Sequence, residues 1–140
     1  MITGEKGINL IKEFEGCKLT AYLCPAGVWT IGYGHTDKVK KGDKISQDKA
    51  EELLKQDLAK YEEALNSYGF VLDQNKFDAL ISFMFNIGIS AFRTSTMFKY
   101  LRNNHYVAAS EQFNKWVYVN HRPSKGLERR REAEKALFLS

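Results

Sequence analysis

Residues 15–36 decide the fold and read EGCKLTAYLCPAGVWTIGYGHT. Strand-forming residues alternate here with proline and glycine, which predicts short strands over residues 19–34 and a turn at residues 25–27. Just upstream, residues 5–15 carry apolar side chains at helical intervals, which predicts an amphipathic helix that Gly16 can end. We therefore expect a short helix that leads directly into a small β-hairpin.

The remainder of the chain is predicted to be helical. Ser46 can cap a long helix that keeps a 3.6-residue apolar period to Ser67, and Gly69 is placed to end it. Asp73 can cap the next helix, and three more helical segments are predicted over residues 95–102, 106–116 and 124–137. Because the predicted strands are confined to the first third of the chain, the fold class is predicted to be α+β.

Length and composition indicate a single domain over residues 1–140. With 44% hydrophobic residues and two prolines, the chain can bury a core without a disulfide or a metal. It contains no run of about 18 apolar residues, and its N-terminus lacks the apolar stretch of a signal peptide. We therefore expect no stable membrane insertion, and nothing in the sequence suggests more than a monomer. The protein would be made as a cytoplasmic protein. If it acts outside the inner membrane, another factor must release it, or an export segment was removed from the sequence.

Positive charge is concentrated in the second half of the chain. The net charge is +4, and residues 71–140 carry 11 basic and 6 acidic residues, against 10 and 11 in residues 1–70. Such a distribution favours a polyanion: nucleic acid, an anionic lipid surface or a cell-wall polymer. The acidic balance of the first half argues against nucleic acid. The basic run over residues 122–135 is typical of a solvated helix face.

Glu15 is the first candidate for chemistry, because its spacing from Ile8 and Ile11 places it on the inward stripe of the first helix. An acid in that position either pairs with a basic partner or serves as a general acid that keeps its proton near neutral pH. One interpretation of Cys17 is that it is a small buried apolar residue. The residue pattern alone leaves these alternatives open.

His35 and the aromatic residues of the strands also have two readings. His35 has no second His or Cys at a ligand spacing, so we expect no metal site and instead a structural histidine that pairs with an acid. Tyr22, Trp29 and Tyr33 could stack on sugar rings, although aromatic residues in strands more often belong to a core. No cofactor motif is present, and none is expected.

The segment from Glu15 to Thr36 resembles the active-site segment of the phage-type lysozymes, glycoside hydrolase family 24. The family pattern has a Glu followed nine residues later by an Asp and six residues after that by a Thr; the corresponding residues here are Glu15, Cys24 and Thr30. Two later blocks also look like family motifs. They are Phe85-Asn86-Ile87-Gly88 with Phe92, Ser95 and Thr96, and Gly126-Leu127 with Arg130, Arg131 and Glu134.

The resemblance implies a two-lobed fold with a cleft between the lobes. The small N-terminal lobe would comprise residues 1–45, with the first helix and the sheet. A connecting helix over residues 46–68 would join it to a helical lobe over residues 69–140. The implied activity is that of a muramidase, which hydrolyses the β-1,4 bond between N-acetylmuramic acid and N-acetylglucosamine in the glycan strands of peptidoglycan. Such an endolysin would stay in the host cytoplasm until release and then act on the cell wall in the periplasm.

The resemblance also implies roles for individual residues. Glu15 would be the general acid, and Cys24 and Thr30 would activate water on the opposite side of the sugar. Arg130 or Arg131 would hold Glu15 by a bidentate contact. The other residues that we expect to bind substrate or support the site are Gly32, Tyr33, His35, Phe85 and Asn86.

Cys24 departs from the family's usual carboxylate and assigns the chain to the subgroup with Cys in place of the catalytic Asp. A thiol has a reference pKa of about 8.5, so it must be perturbed to ionise at neutral pH. The thiolate would then serve as a base or, as the less favoured alternative, as a nucleophile. In an exported, disulfide-regulated branch of the family, a bridge such as Cys17–Cys24 would block the catalytic sulfur. The alternative to an enzyme is a non-catalytic peptidoglycan-binding module whose site has lost its base.

Overall fold

The computed structural model describes all residues from Met1 to Ser140. Seven α-helices and four short strands follow one another along the chain, with a 3₁₀ turn over Gln112–Lys115. In chain order they are α1 (Glu5–Glu15), β1 (Lys18–Leu23), β2 (Trp29–Gly32), α2 (Gln47–Ser67), α3 (Gln74–Ile87), α4 (Ile89–Arg93), α5 (Thr96–Arg102), α6 (Tyr106–Glu111), β3 (Tyr118–Val119), β4 (Arg122–Pro123) and α7 (Lys125–Leu139).

The chain divides into two compact units. The sheet unit is Lys12–Ala59, and the helical unit is Met1–Ile11 together with Lys60–Ser140. The division falls inside α1 and inside α2, so each of these helices contributes residues to both units. The predicted lobe boundaries at residues 45 and 69 stay a prediction.

In the sheet unit, β1 and β2 form the antiparallel hairpin predicted from the sequence. Tyr22 lies opposite Thr30 and Leu23 opposite Trp29, with a register irregularity between Lys18 and Tyr22. Residues 43–45 line the other edge of β1, where the Ile45 amide donates to the Leu19 carbonyl at 2.9 Å. The predicted end of α1 is also confirmed: Gly16 has a φ of 69°, a left-handed conformation that glycine adopts without steric cost.

The core of the helical unit lies around α3, which packs against α7. Most of α3 is buried because apolar residues occupy nearly every position of its middle turns. Rings from several elements meet edge to face here; Phe83 contacts Phe92, Phe113 and Trp116, with centroids 5.1 to 6.3 Å apart. The predicted cap of α3 is confirmed, because the Asp73 carboxylate accepts from the Lys76 amide at 2.8 Å.

Three details of the predicted fold are wrong. Strands are not confined to the first third, because β3 and β4 form a second hairpin late in the chain. The helix predicted over residues 106–116 ends at Glu111 and continues as the 3₁₀ turn. The chain after Gly88 forms α4, which was not predicted. The α+β class itself is confirmed. None of the helices combines the length and apolar character needed to cross a membrane.

Candidate active site

Glu15 is the last residue of α1 and is half-buried in the sheet unit. Its carboxylate lies beside the backbone that follows β2, since a Cβ added to Gly34 would stand 3.6 Å from Glu15 Oε1. Gly34 has a φ of 82°, a conformation that disfavours any residue with a side chain. The end of α1 and the turn after β2 are therefore brought together around this carboxylate.

Cys24 and Thr30 lie on one face of the β1–β2 hairpin. Thr30 is opposite Tyr22, and directly opposite residues share a face; Cys24 follows Tyr22 by two residues at the start of the turn. Thr30 is buried, and its hydroxyl donates to the Val28 carbonyl at 2.9 Å. The turn is closed by the Cys24 amide, which donates to the same Val28 carbonyl at 3.0 Å.

The hairpin turn favours the ionised form of the Cys24 thiol. Hydrogen bonds from the backbone of Val28 and Ala26 hold the pKa of Cys24 below its ordinary value, and the Thr30 hydroxyl lowers it further. This shift acts in the direction that a catalytic base at this position requires, because a larger fraction of the sulfur is thiolate at neutral pH.

Cys17 lies at the opposite end of β1 from Cys24. The two cysteines flank the strand on either side, and both are free thiols. The Cys17 thiol is 3.7 Å from Gln47 Oε1, at the first residue of α2. Cys17 is half-buried, and its sulfur meets a polar group rather than a fully apolar core.

His35 is held by an acid, as predicted from the sequence. Its Nδ1 is 2.8 Å from Asp57 Oδ2 on α2, and its Nε2 is 3.0 Å from the Asp37 carbonyl. Backbone hydrogen bonds to Ile31 fix it to the end of β2. No group of three or more His, Cys, Asp or Glu residues is placed to hold a metal ion. His35 therefore anchors the turn after β2 onto α2.

Gly32 and Tyr33 are buried at the end of β2 and directly after it. Tyr33 is buried, its hydroxyl accepts from Gln47 Nε2 at 2.8 Å, and the Lys12 ammonium stands 5.8 Å from its ring centroid. Gly32 is buried against Ala50, with φ of 65°. Tyr33 is thus a structural residue, whereas Tyr22 remains exposed on the face that carries Thr30.

An ion pair that the sequence analysis missed fixes the last turn of α1 to α2. Lys12 Nζ lies 2.5 Å from Glu51 Oε1. The hydrogen bond between them raises the pKa of Lys12 and lowers that of Glu51. Gln47 and Glu51 are four residues apart and so share one face of α2. No local signal in the sequence reveals the pair, because Lys12 and Glu51 are 39 residues apart.

In the helical unit, Arg130 and Arg131 are buried together with Glu134. Glu134 accepts from Arg130 Nε at 3.2 Å and from the Ser82 hydroxyl at 2.6 Å, and it also pairs with Arg131. The prediction of a solvated face is therefore wrong for these two arginines, because a fully buried carboxylate compensates their charge. The predicted contact between one of them and Glu15 stays a prediction.

Arg131 also organises the surface around Asn86. Its guanidinium donates to the Asn86 side-chain oxygen and, through Nε, to the Trp116 carbonyl at 2.9 Å, and it stacks 4.9 Å from the Phe83 ring centroid. A pocket of about 490 Å³ opens beside it, lined by Asn86, Ile87, Lys115, Trp116, Tyr118, Val119, Leu127 and Arg131. Phe85 is half-buried against Tyr61 instead and supports the helix.

A second pocket of about 370 Å³ shares Lys115 and Trp116 with the first. Its other lining residues are polar: Thr94, Ser95, Thr96 and Gln112. Neither pocket is lined by an acid. Lys115 and Trp116 were not singled out in the sequence analysis, because they lie in the 3₁₀ turn and its end rather than in a recognisable motif.

Glu134→Gln is expected to lower the free energy of unfolding by about 3 kcal/mol, because it leaves two buried guanidinium groups without their shared negative charge. Urea unfolding followed by circular dichroism measures the change. Glu132→Gln on the exposed face of the same helix is the matched control and should change stability by less than about 0.5 kcal/mol. Equal stability of the two variants would contradict the role assigned to the buried cluster.

Comparison with known proteins places this geometry in a family. A family model described as phage lysozyme matches residues 12–134. An endolysin of Acyrthosiphon pisum secondary endosymbiont phage 1 is 48% identical, over all of this chain and 99% of the relative. The chain belongs to the phage lysozyme family. As a phage lysozyme it is a glycoside hydrolase, and the predicted resemblance is confirmed.

Solved structures of phage lysozymes and related muramidases share the fold. The muramidase domain of SpmX from Asticaccaulis excentricus superposes with a TM-score of 0.92 at 39% identity, covering 98% of this chain and 97% of that one. The active form of the P1 phage endolysin Lyz superposes with a TM-score of 0.89 at 30% identity, covering 98% of this chain and 84% of that one. The secreted inactive form of Lyz superposes with a TM-score of only 0.66 at 29% identity, covering 98% of this chain and 95% of that one. This phage lysozyme therefore superposes better on the active form of Lyz than on the secreted inactive form.

The structure groups the candidate residues by unit. Glu15, Cys24, Thr30, Gly32, Tyr33 and His35 belong to the sheet unit, whereas Phe85, Asn86, Arg130 and Arg131 belong to the helical unit. Within the sheet unit, Cys24 and Thr30 are brought onto one hairpin face, and Glu15 is held beside Gly34. Assignment of this phage lysozyme to the subgroup with a catalytic cysteine stays a prediction.

Proposed function

We propose that this phage lysozyme is an endolysin that hydrolyses the β-1,4 bond between N-acetylmuramic acid and N-acetylglucosamine in peptidoglycan. Glu15 is the general acid, and Cys24 with Thr30 activates the attacking water. Its place of action is the cell wall in the periplasm, after release from the host cytoplasm. The endolysins and the muramidase domain to which the chain is similar support the substrate class.

The proposed reaction balances as a simple hydrolysis. The Glu15 carboxyl group donates its proton to the glycosidic oxygen, so that the bond between this oxygen and the anomeric carbon breaks with a neutral leaving group. Water attacks the anomeric carbon from the opposite face. The Cys24 thiolate accepts a proton from this water, while the Thr30 side chain helps to orient it. A proton returned from Cys24 to Glu15 through solvent resets the site.

The observation that carries this proposal is the lowered pKa of Cys24, which lies on the same hairpin face as Thr30. A thiol with its ordinary pKa would be a poor base at neutral pH, whereas the hydrogen bonds in the turn from Cys24 to Val28 lower that pKa.

Analysis of digested peptidoglycan tests the proposed activity. The expected products carry new reducing ends of N-acetylmuramic acid, detected by borohydride reduction and mass spectrometry. Anhydro ends would mean transglycosylation and would contradict the proposal. Binding to peptidoglycan with no new ends would support the alternative, a module whose site has lost its base, particularly if Cys24→Asp then produced cleavage.

We further propose that oxidation of Cys17 and Cys24 switches the enzyme off. Seven residue steps along an extended strand separate their Cα atoms by a distance on the order of 20 Å, whereas a disulfide needs less than about 7 Å. A bridge therefore cannot form while β1 keeps its extended pairing with β2. Oxidation would dismantle the hairpin that carries Cys24 and Thr30 and would also consume the catalytic thiol.

Treatment with glutathione disulfide tests this redox control. Exchange would oxidise the two thiols to one disulfide and reduce one glutathione disulfide to two glutathiones. We expect activity to fall at least about tenfold, in parallel with formation of the intramolecular bridge, and to return with dithiothreitol. Cys17→Ser is the control that cannot form the bridge and should lose activity only through reversible glutathionylation of Cys24. A bridged protein with full activity would contradict the proposal.

A further inference from the structure

The sheet unit exposes apolar side chains next to a cluster of lysines. Leu19, Leu23 and Val28 are 41%, 54% and 44% exposed, respectively. Lys40, Lys41 and Lys44 are exposed in the segment that follows. We refer to these six residues together as the hairpin patch.

Backbone hydrogen bonds connect the two parts of this patch. The Ala21 amide donates to the Asp43 carbonyl at 2.9 Å, and the Ile45 amide donates to the Leu19 carbonyl at the same distance. Lys44 therefore stands opposite Thr20 in a single antiparallel bridge beside β1. The preceding turn, closed by a hydrogen bond from the Asp43 amide to the Lys40 carbonyl, presents Lys40 and Lys41.

The apolar part includes a face of the hairpin that the proposed chemistry does not use. Leu23 lies opposite Trp29, and because adjacent strand residues point to opposite faces, this pair lies on the face away from Thr30 and Tyr22. A ligand on Leu23 and Trp29 would leave the Thr30 face free. Leu23 therefore lies away from the proposed active face, whereas Val28 lies in the turn that joins the two strands.

The positive charge of the hairpin patch indicates which class of partner it binds. Residues 38–44 contain four lysines and one acid, and the carboxylate of that acid, Asp43, accepts from the Lys40 amide at 2.8 Å. Lysines alone would be explained by protection of a sheet edge from pairing. That role needs no exposed leucine or valine. Apolar side chains beside cations instead match the interface of an anionic bilayer, where acyl chains and headgroups lie at adjacent depths.

We propose that the hairpin patch docks this protein peripherally on anionic phospholipid membranes. Lys40, Lys41 and Lys44 contact the headgroups, and Leu23 and Val28 enter the boundary between headgroups and acyl chains. This surface binding involves no membrane-spanning segment. It would keep the enzyme at a membrane next to the wall, and it does not depend on the proposed muramidase activity.

Vesicle co-sedimentation tests the proposal directly. The wild-type protein should bind mixed phosphatidylcholine–phosphatidylglycerol vesicles, and should bind pure phosphatidylcholine vesicles at least roughly tenfold more weakly. Lys40→Gln with Lys41→Gln, and separately Leu23→Ser with Val28→Ser, should each weaken binding to the mixed vesicles by roughly tenfold. Circular dichroism checks that each variant is folded; the lysine variant decides the test if the apolar variant is not.

Matched controls make the same chemical changes in the helical unit. They are Lys99→Gln with Lys125→Gln, and Val71→Ser with Val107→Ser, all at exposed positions. These should retain wild-type binding. Equal loss in the controls, equal binding to both vesicle types, or no vesicle binding would overturn the proposal. So would binding to duplex DNA that needs the two lysines, with vesicle binding that is insensitive to Leu23 and Val28, because the site would then recognise a polyanion.

Discussion

Glu15→Gln is expected to lower the rate of peptidoglycan hydrolysis by about 10³-fold, because the amide occupies the same space but has no proton to give to the leaving oxygen. Release of reducing ends from purified peptidoglycan measures the loss. The fold should persist, because Gln retains the size of the side chain beside Gly34. Urea unfolding of the variant separates a loss of chemistry from a loss of structure.

Glu13→Gln is the matched control for this prediction. Glu13 lies on the same helix and is exposed, so its neutralisation changes the net charge equally. We expect the control to keep wild-type activity. If Glu15→Gln remained fully active, or if both variants lost activity to the same degree, Glu15 would not be the proton donor.

Cys24→Asp is expected to shift the low-pH limb of the activity profile by roughly two pH units or more towards acid, because a carboxyl group ionises near 3.9 and a thiol near 8.5. Activity requires the unprotonated base, so it rises as residue 24 loses its proton. The lowered pKa of Cys24 places the wild-type limb below that of an ordinary thiol. The pH dependence of kcat/KM reports this limb for the free enzyme.

Two further variants define the role of Cys24. Cys24→Ala should reduce activity by about 10²-fold, because water is then left without a base. Cys17→Ser should leave the pH dependence of kcat/KM of the reduced enzyme unchanged. An unchanged low-pH limb in Cys24→Asp would contradict the assignment of Cys24 as the base.

The first part of the chain could be predicted well from the sequence. The hairpin and the caps at Ser46 and Asp73 depend on local signals: glycine and proline at a turn, and oxygen-bearing side chains that accept from amides three residues later. His35 was also predicted to pair with an acid, and its partner Asp57 lies within the same unit. The hairpin and the two caps are therefore determined by residues close in the chain.

The second hairpin could not be predicted in the same way. β3 and β4 contain only two residues each, and their turn uses Asn120 and His121 with φ of 50° and 65°. Two-residue hairpin turns of this type are normally recognised in a sequence by a glycine, and this turn contains none. The burial of Arg130 and Arg131 depends on a tertiary contact of Glu134 with Ser82, 52 residues away. Charge patterning along one helix does not reveal such a contact.

The stereochemistry of the first product tests the central claim most directly. If Cys24 activates water on the face opposite Glu15, the reaction inverts the anomeric carbon, so the N-acetylmuramic acid released first should have the α configuration. Proton NMR during the early phase of the reaction, before mutarotation, distinguishes the two anomers. A first product of α configuration is the predicted result. A first product of β configuration would mean that the enzyme retains configuration, and it would contradict direct attack by water held at Cys24 and Thr30.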